Sequence, residues 1–201
     1  MKIGVDIDGV INDILTICVE KLNQHLDKEL SVHDISDYDL SKCYQVTYQE
    51  MQDFFVKEEE SILESVVPQP TAAAILKELI DCHRVTLITA RPASQRQVTA
   101  GWLKKHGIPY DKLITIGSHD KREACLEEQV DIFIEDRLEN ALMINGMGIP
   151  VLLMDAPHNK GKLPDGIKRV FSWQDIRAEL SADTIGKFKL GKNIAKIAEK
   201  D

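Results

Sequence analysis

The chain has 201 residues, of which 43% are hydrophobic and 29% charged; that is the length of one domain, or of one domain with an insert, and the composition of a soluble globular protein. No apolar run reaches the ~18 residues of a membrane span, and the N-terminus enters a strand pattern at once, so neither a membrane partner nor a signal peptide is expected. The net charge of −8 is concentrated, with 13 Asp and Glu against 4 Lys in residues 12–70, and that argues against a nucleic-acid polymer as partner.

Residues 2–8, KIGVDID, open the chain as a short buried strand rich in Val and Ile. Residues 13–27 then carry Ile14, Leu15, Cys18, Val19, Leu22 and Leu26 at helical spacing. Residues 31–46 lack a period and hold three Asp and Tyr38. A second helix starts at Thr47, with Glu50 three residues on as a capping box, and a short further helix is expected around Glu59–Ser65. Pro68 and Pro70 then break the pattern.

From residue 71 the rhythm is regular. TAAAILKELIDC is a helix, RVTLITA a strand ending near Thr89, and SQRQVTAGWLKKHG a helix closed by Gly107. KLITIG, VDIFIED and PVLLMD are strands, separated by the helices KREACLEEQ and ENALMINGMG. KRVFSW is a last short strand and WQDIRAEL the final helix. This alternation predicts an α/β fold, a parallel central sheet with helices on both faces. Residues 12–68 interrupt it and read as a helical cap inserted after the first strand, leaving 1–11 and 69–181 as the core. The lysine-rich tail, 182–201, reads as solvated. No internal repeat is visible. Cys18, Cys43, Cys82 and Cys125 show no C-x-x-C, so buried thiols in a reducing cytoplasm are expected rather than a disulfide or a zinc site.

Open α/β sheets bind ligands at the carboxyl ends of their strands. The polar residues there are Asp6 and Asp8 after the first strand, Thr89 and Arg91 after LIT, and Glu135 and Asp136 after IFI; Lys121 begins a helix after IGSHD. Four carboxylates in one cleft raise one another's pKa and lose hydration, and protonating several at neutral pH is hard. A hard divalent cation resolves this. Mg²⁺ takes one or two carboxylates, waters and a phosphate oxygen, and no His or Cys cluster stands at these strand ends to suggest zinc. Thr89 and Lys121 suit phosphate oxygens. Each signal alone has a plainer reading: a loop carboxylate, a strand-end hydroxyl, a solvated lysine, a helix cap. Their order along the chain is what argues for a Mg²⁺-dependent phosphate site.

DIDGV, LITAR, the lysine of HDKRE, and IEDR resemble motifs one to four of the haloacid dehalogenase superfamily of phosphohydrolases, across residues 3–137. The insert after motif one and the ending VLLMDAPHNKG…VFSWQDI are similar to the 5′(3′)-deoxyribonucleotidase-like family. Response-regulator receivers place the acidic pair and the phosphoacceptor in the opposite order, and no P-loop G-x-x-x-x-G-K-[ST] is present. The resemblance implies a Rossmann-like core and a phosphatase that hydrolyses a (deoxy)nucleoside monophosphate through an aspartyl-phosphate. Asp6 would be the nucleophile and Asp8 the general acid and base. Asp6, the Asp8 carbonyl and Asp136 would ligate Mg²⁺, with Glu135 behind them or sharing that role. Thr89 and Lys121 would hold the phosphoryl oxygens, and Gly9 would let the chain turn beneath them. Arg91 would reach the phosphate or pair with an acid of the cap. Tyr38, Tyr44, Phe54 and Phe55 are the cap aromatics offered to a leaving group. A phosphotransferase or mutase, a phosphatase of another small metabolite, and a non-catalytic binding module stay open, as does a homodimer.

Overall fold

The computed structural model describes residues 1–181; the lysine-rich tail lies outside the described residues. Six strands form one sheet: β1 Lys2–Val5, β2 Arg84–Thr89, β3 Lys112–Thr115, β4 Ile132–Glu135, β5 Val151–Met154 and β6 Ile167–Val170. Their order is β3-β2-β1-β4-β5-β6 and every pairing is parallel. β1 lies centrally, with Val5 beside Leu87 of β2 on one edge and Ile134 of β4 on the other. The chain builds outward from β1 in one direction and then in the other, so the crevice at the carboxyl end of β1 is the switch point where ligands bind in such sheets.

Strand side chains alternate, and both faces are buried. Ile3, Val5, Val85, Leu87, Ile132 and Ile134 pack with Ile75, Leu76 and Leu79 of α4 (Ala72–Ile80), Trp102 and Leu103 of α5 (Arg96–Lys105), and Ile176 of α8 (Trp173–Glu179). Ile88, Phe133, Val151 and Leu153 face the other way, onto Ala124 and Cys125 of α6 (Arg122–Glu127) and Ala141 and Ile144 of α7 (Leu138–Asn145). Gly4 is required on that second face, because a Cβ there would run into the Phe133 ring.

Between β1 and α4 lie α1 (Ile14–Leu26), a 3₁₀ turn (Val32–Asp34), α2 (Leu40–Tyr44) and α3 (Tyr48–Ser65). They enclose a third core of Cys18, Val19, Leu22, Ile35, Tyr44, Met51, Phe54 and Ile62. Thr47 and Glu50 make the capping box at the start of α3: Glu50 N–H donates to Thr47 Oγ1 at 3.2 Å, and Thr47 N–H to Glu50 Oε2 at 2.8 Å. The separate helix expected at Glu59–Ser65 is instead the end of α3, which runs unbroken because neither Gly nor Pro interrupts residues 48–65. The thiols are free, but only Cys18 and Cys125 are buried; Cys43 is half-buried and Cys82 exposed.

The cap joins the core through a narrow neck. Asn12 bridges to Pro68, Asp13 N–H donates to Val67 C=O at 3.0 Å, and Gln69 N–H to Ile11 C=O at 2.7 Å. Both tryptophans of the chain fasten it: Trp173 Nε1 donates to Val10 C=O at 2.9 Å and Trp102 Nε1 to Val66 C=O at 3.0 Å. Among the described residues no helix is long and apolar enough to cross a membrane.

Candidate active site

The carboxyl end of β1 turns at once. Ile7 C=O accepts from the amides of Ile11 and Asn12 at 2.9 and 3.1 Å. Gly9 takes φ +77°, and a Cβ there would overlap the Asp136 carboxylate. Both the dihedral and the close approach require glycine. The turn leaves Asp6 and Asp8 beside the end of β4.

Lys121 holds the floor of the site. Its Nζ lies 2.7 Å from Asp6 Oδ2 and 2.7 Å from Glu135 Oε2, and the residue is 1% exposed. Burial works against its charge, but the two carboxylates outweigh burial and hold the ammonium above its ordinary range. Glu135, fully buried, also accepts from the amides of Asp136 and Arg137 at 3.3 and 3.2 Å. Asp6 accepts from Ile7 N–H at 2.8 Å. Burial pushes the Asp6 carboxyl up to about 8 against the pull of Lys121, with Glu135 and Asp8 adding to the rise. Asp136 is raised too, chiefly by burial, although His158 Nε2 stands 3.4 Å from its Oδ2.

Asp6, Glu135 and Asp136 present oxygens within 4.8 Å of one another, all buried. Lys121 supplies one positive charge to these three carboxylates, so the cluster carries an excess of negative charge that burial makes costly. An all-oxygen set of this kind fits a hard divalent cation rather than zinc or copper. Asp6 and Asp136 would hold it, with Glu135 behind them or sharing that role while it holds Lys121 and two amides.

Asp8 is different. Burial pushes its carboxyl up, but the charge and hydrogen bonds of Arg91, with the Asn12 amide, outweigh burial and keep it below the usual carboxylate range. Sequence offered Arg91 to the phosphate or to an acid of the cap; in the structure its guanidinium turns onto Asp8. Thr89 ends β2 with its side chain buried, its Oγ1 accepting from Arg91 N–H at 3.3 Å.

A cleft of about 540 Å³ opens over Asp8, Gly9 and Asp136. Its cap wall is mostly apolar: Ile14, Leu15, Cys18, Ile35, Leu40, Met51, Tyr38, Tyr48 and Phe55. Of the four cap aromatics expected to meet a leaving group, Tyr38 and Phe55 line this cleft. Tyr44 and Phe54 do not. Tyr44 is 1% exposed, its hydroxyl shared between the acceptors Val19 C=O and Asn23 Oδ1 at 3.2 and 3.0 Å, and Phe54 packs inside the cap against Phe55 and His25. Helical phase turns Phe54 inward, and sequence position alone does not separate it from its neighbour.

The core wall adds His119, Arg137 and His158, which sequence reasoning passed over. Tyr38 stands edge-on to His119 and His158, with centroids 5.7 and 5.5 Å away, and the Arg137 guanidinium lies 4.2 Å from its ring centre. Asn159 fixes the loop that carries His158, donating to the backbone oxygens of Asp136 and Met154 at 2.5 and 2.7 Å. The available signal was position. Arg137 follows Asp136 directly, and the HN pair stands just beyond the end of β5.

Across residues 1–183 the chain matches the family described as "5′ nucleotidase, deoxy (Pyrimidine), cytosolic type C protein". It is 34% identical to the Bacillus subtilis protein YqfW over 174 residues, covering 86% of this chain and 90% of that one. It is 26% identical to a Bacillus subtilis 5′(3′)-deoxyribonucleotidase over 185 residues, covering 89% and 97%. A haloacid dehalogenase-like family hydrolase from Streptococcus pneumoniae shares the fold, with a TM-score of 0.67 at 16% identity over 90% of this chain and 98% of that one. A doubly directed parallel sheet, a carboxylate cluster at its switch point and a match over the whole described chain converge on one conclusion: the protein has the fold of the haloacid dehalogenase-like hydrolases, belongs to this nucleotidase family, and is a phosphoric monoester hydrolase.

Proposed function

We propose that the protein is a Mg²⁺-dependent phosphatase of (deoxy)nucleoside monophosphates that works through an aspartyl-phosphate on Asp6. The observation that carries this reading is the buried cluster at the end of β1: Asp6, Glu135 and Asp136 with oxygens within 4.8 Å of one another, and Lys121 bridging Asp6 and Glu135. When bound, Mg²⁺ would supply the charge that keeps Asp6 and Asp136 ionised and would orient a phosphate oxygen. Asp6 attacks phosphorus, and the bond to the leaving oxygen breaks. Asp8 gives that oxygen a proton, then takes one from the water that cleaves the aspartyl-phosphate. Lys121 is close enough to Asp6 to neutralise charge growing on the phosphoryl group. Thr89, at the next strand end, is the hydroxyl assigned to the same oxygens.

The leaving group occupies the cleft. Its apolar cap wall with Phe55 and Tyr48 suits a flat, uncharged ring better than a second phosphate, because Asp37 and Asp39 also line it. This agrees with the deoxyribonucleotidase among the relatives. Phosphate release from a panel of nucleoside monophosphates, sugar phosphates and p-nitrophenyl phosphate, with Mg²⁺ and with EDTA, tests the reading. Mg²⁺-dependent release, greatest for nucleotides, is expected. Release undiminished in EDTA removes the metal, release greatest for sugar phosphates removes the nucleotide, and isomer exchange without release assigns a mutase.

A further inference from the structure

Arg91 is buried behind the catalytic carboxylate and does not line the cleft, whereas the Asp8 side chain is 29% exposed there. The guanidinium grips Asp8 in a fork: Nε donates to Oδ2 at 2.8 Å and Nη2 to Oδ1 at 2.6 Å. The fork is itself braced, since Nη1 donates to Oγ1 of Thr99, fully buried on α5, at 3.1 Å. From the neck, Asn12 Nδ2 donates to Asp8 Oδ1 at 2.9 Å, while Asn12 Oδ1 accepts from Gly9 N–H at 3.2 Å. Oδ1 thus takes two hydrogen bonds and Oδ2 one. A carboxylate oxygen has two lone pairs, so only Oδ2 keeps one unused.

We infer that Arg91 is a positioning residue, braced by Thr99 and joined by Asn12, that fixes the plane of the Asp8 carboxylate and leaves Oδ2 as the oxygen with a lone pair open for proton exchange. This rests on the phosphatase reading above. In the first half-reaction an Asp6 oxygen bonds to phosphorus, the bond to the leaving oxygen breaks, and a proton that Asp8 Oδ2 takes up as the anionic substrate enters passes to that oxygen, giving the alcohol. In the second, water adds to phosphorus, its proton passes to Oδ2, and the bond to Asp6 breaks to release inorganic phosphate. Both transfers use one oxygen on one bearing. A planar, bidentate guanidinium fixes that bearing, and a point charge does not. A buried ion pair is weak evidence of stabilisation, and orientation gives this one a use.

The leaving group separates this role from a merely structural one. A nucleoside 5′-monophosphate expels an alkoxide that needs the proton, while p-nitrophenyl phosphate expels a stabilised phenolate that hardly does. Arg91→Lys keeps the charge and loses the fork. It should lower kcat on the nucleotide by about 10²-fold, the low end of general acid catalysis, and on p-nitrophenyl phosphate by no more than a few-fold. Thr99→Val, which removes only the brace, should show a smaller loss with the same bias. In an Asp8→Asn background Arg91→Lys should change little more, because residues acting as one unit are non-additive. Melting temperatures of each variant report folding, and Thr99→Val carries the comparison if Arg91→Lys does not fold. Equal losses on both substrates, a change in KM alone, or full additivity with Asp8→Asn would overturn the inference. A wild-type protein that releases phosphate from neither substrate would instead overturn the phosphatase reading, and this inference with it.

Discussion

Asp6 and Asp8 are two residues apart and have opposite environments. Asp6 shares a buried lysine with Glu135 and is pushed up to about 8, while Asp8 is held low by Arg91. Asp6→Asn is expected to abolish phosphate release with the fold intact, because an amide does not attack phosphorus. Asp8→Asn should lower it by ~10²–10⁴-fold on a nucleotide. Lys121→Met is a different case, since it leaves Asp6 and Glu135 buried without their cation. Breaking a buried pair this way costs about 3–5 kcal/mol, which urea unfolding will show. The raised Asp6 also sets a pH dependence for the metal-free protein. Its folded pKa exceeds the unfolded value of 3.8, so the folded state binds more protons between the two. Stability is then full below the unfolded value and is lost as pH rises toward about 8. Melting temperatures in EDTA should fall across that window, and Mg²⁺ should flatten the slope. Asp8 acts in the opposite sense and at lower pH, where its folded pKa lies under the ordinary carboxylate value.

The helices of the cap divide their aromatics between two tasks. α3 turns Met51, Phe54 and Ile62 inward and brings Tyr48 and Phe55 to the cleft. Base–aromatic stacking in single-strand binding proteins is worth ~1–3 kcal/mol per base, so Phe55→Ala or Tyr48→Ala should lower kcat/KM on a nucleotide by roughly 5- to 150-fold. The same changes should leave p-nitrophenyl phosphate nearly untouched. Phe54→Ala should do the reverse, sparing specificity and destabilising the cap by about 3–5 kcal/mol, as Phe truncations in cores do. Kinetics on both substrates, with thermal melts, separate the two outcomes; equal losses for Phe54 and Phe55 would put both in the core. The capping box of α3 was readable as Thr47 followed by Glu50, because both partners are local. The side of the helix that meets the cleft was not, because it depends on where α1 and the 3₁₀ turn at Val32–Asp34 pack.

At the scale of the whole molecule, the sheet and the neck decide what the cap does. The neck is two short segments, 10–13 and 66–69, paired to each other and fastened by Trp102 and Trp173. A buried tryptophan N–H needs its partner, so Trp173→Phe leaves Val10 C=O without its donor and should cost about 1–3 kcal/mol, read as a lower melting temperature. The sequence by itself determined the alternation of strands and helices from residue 71 onward, the parallel sheet, and the candidate residues Asp6, Asp8, Thr89, Lys121, Glu135 and Asp136. These follow from period, turn residues and strand ends, all of them local signals. Only the tertiary structure decided that the Arg91 guanidinium pairs with Asp8, that Asn12 joins it, that Tyr44 and Phe54 face inward, and that His119, Arg137 and His158 complete the cleft around Tyr38. Apart from Asn12, four residues from Asp8, each of these joins elements far apart in the chain. Arg91 and Asp8 are 83 residues apart, and no spacing rule connects them; they meet because β1 and β2 run parallel, side by side, and end at the same edge of the sheet.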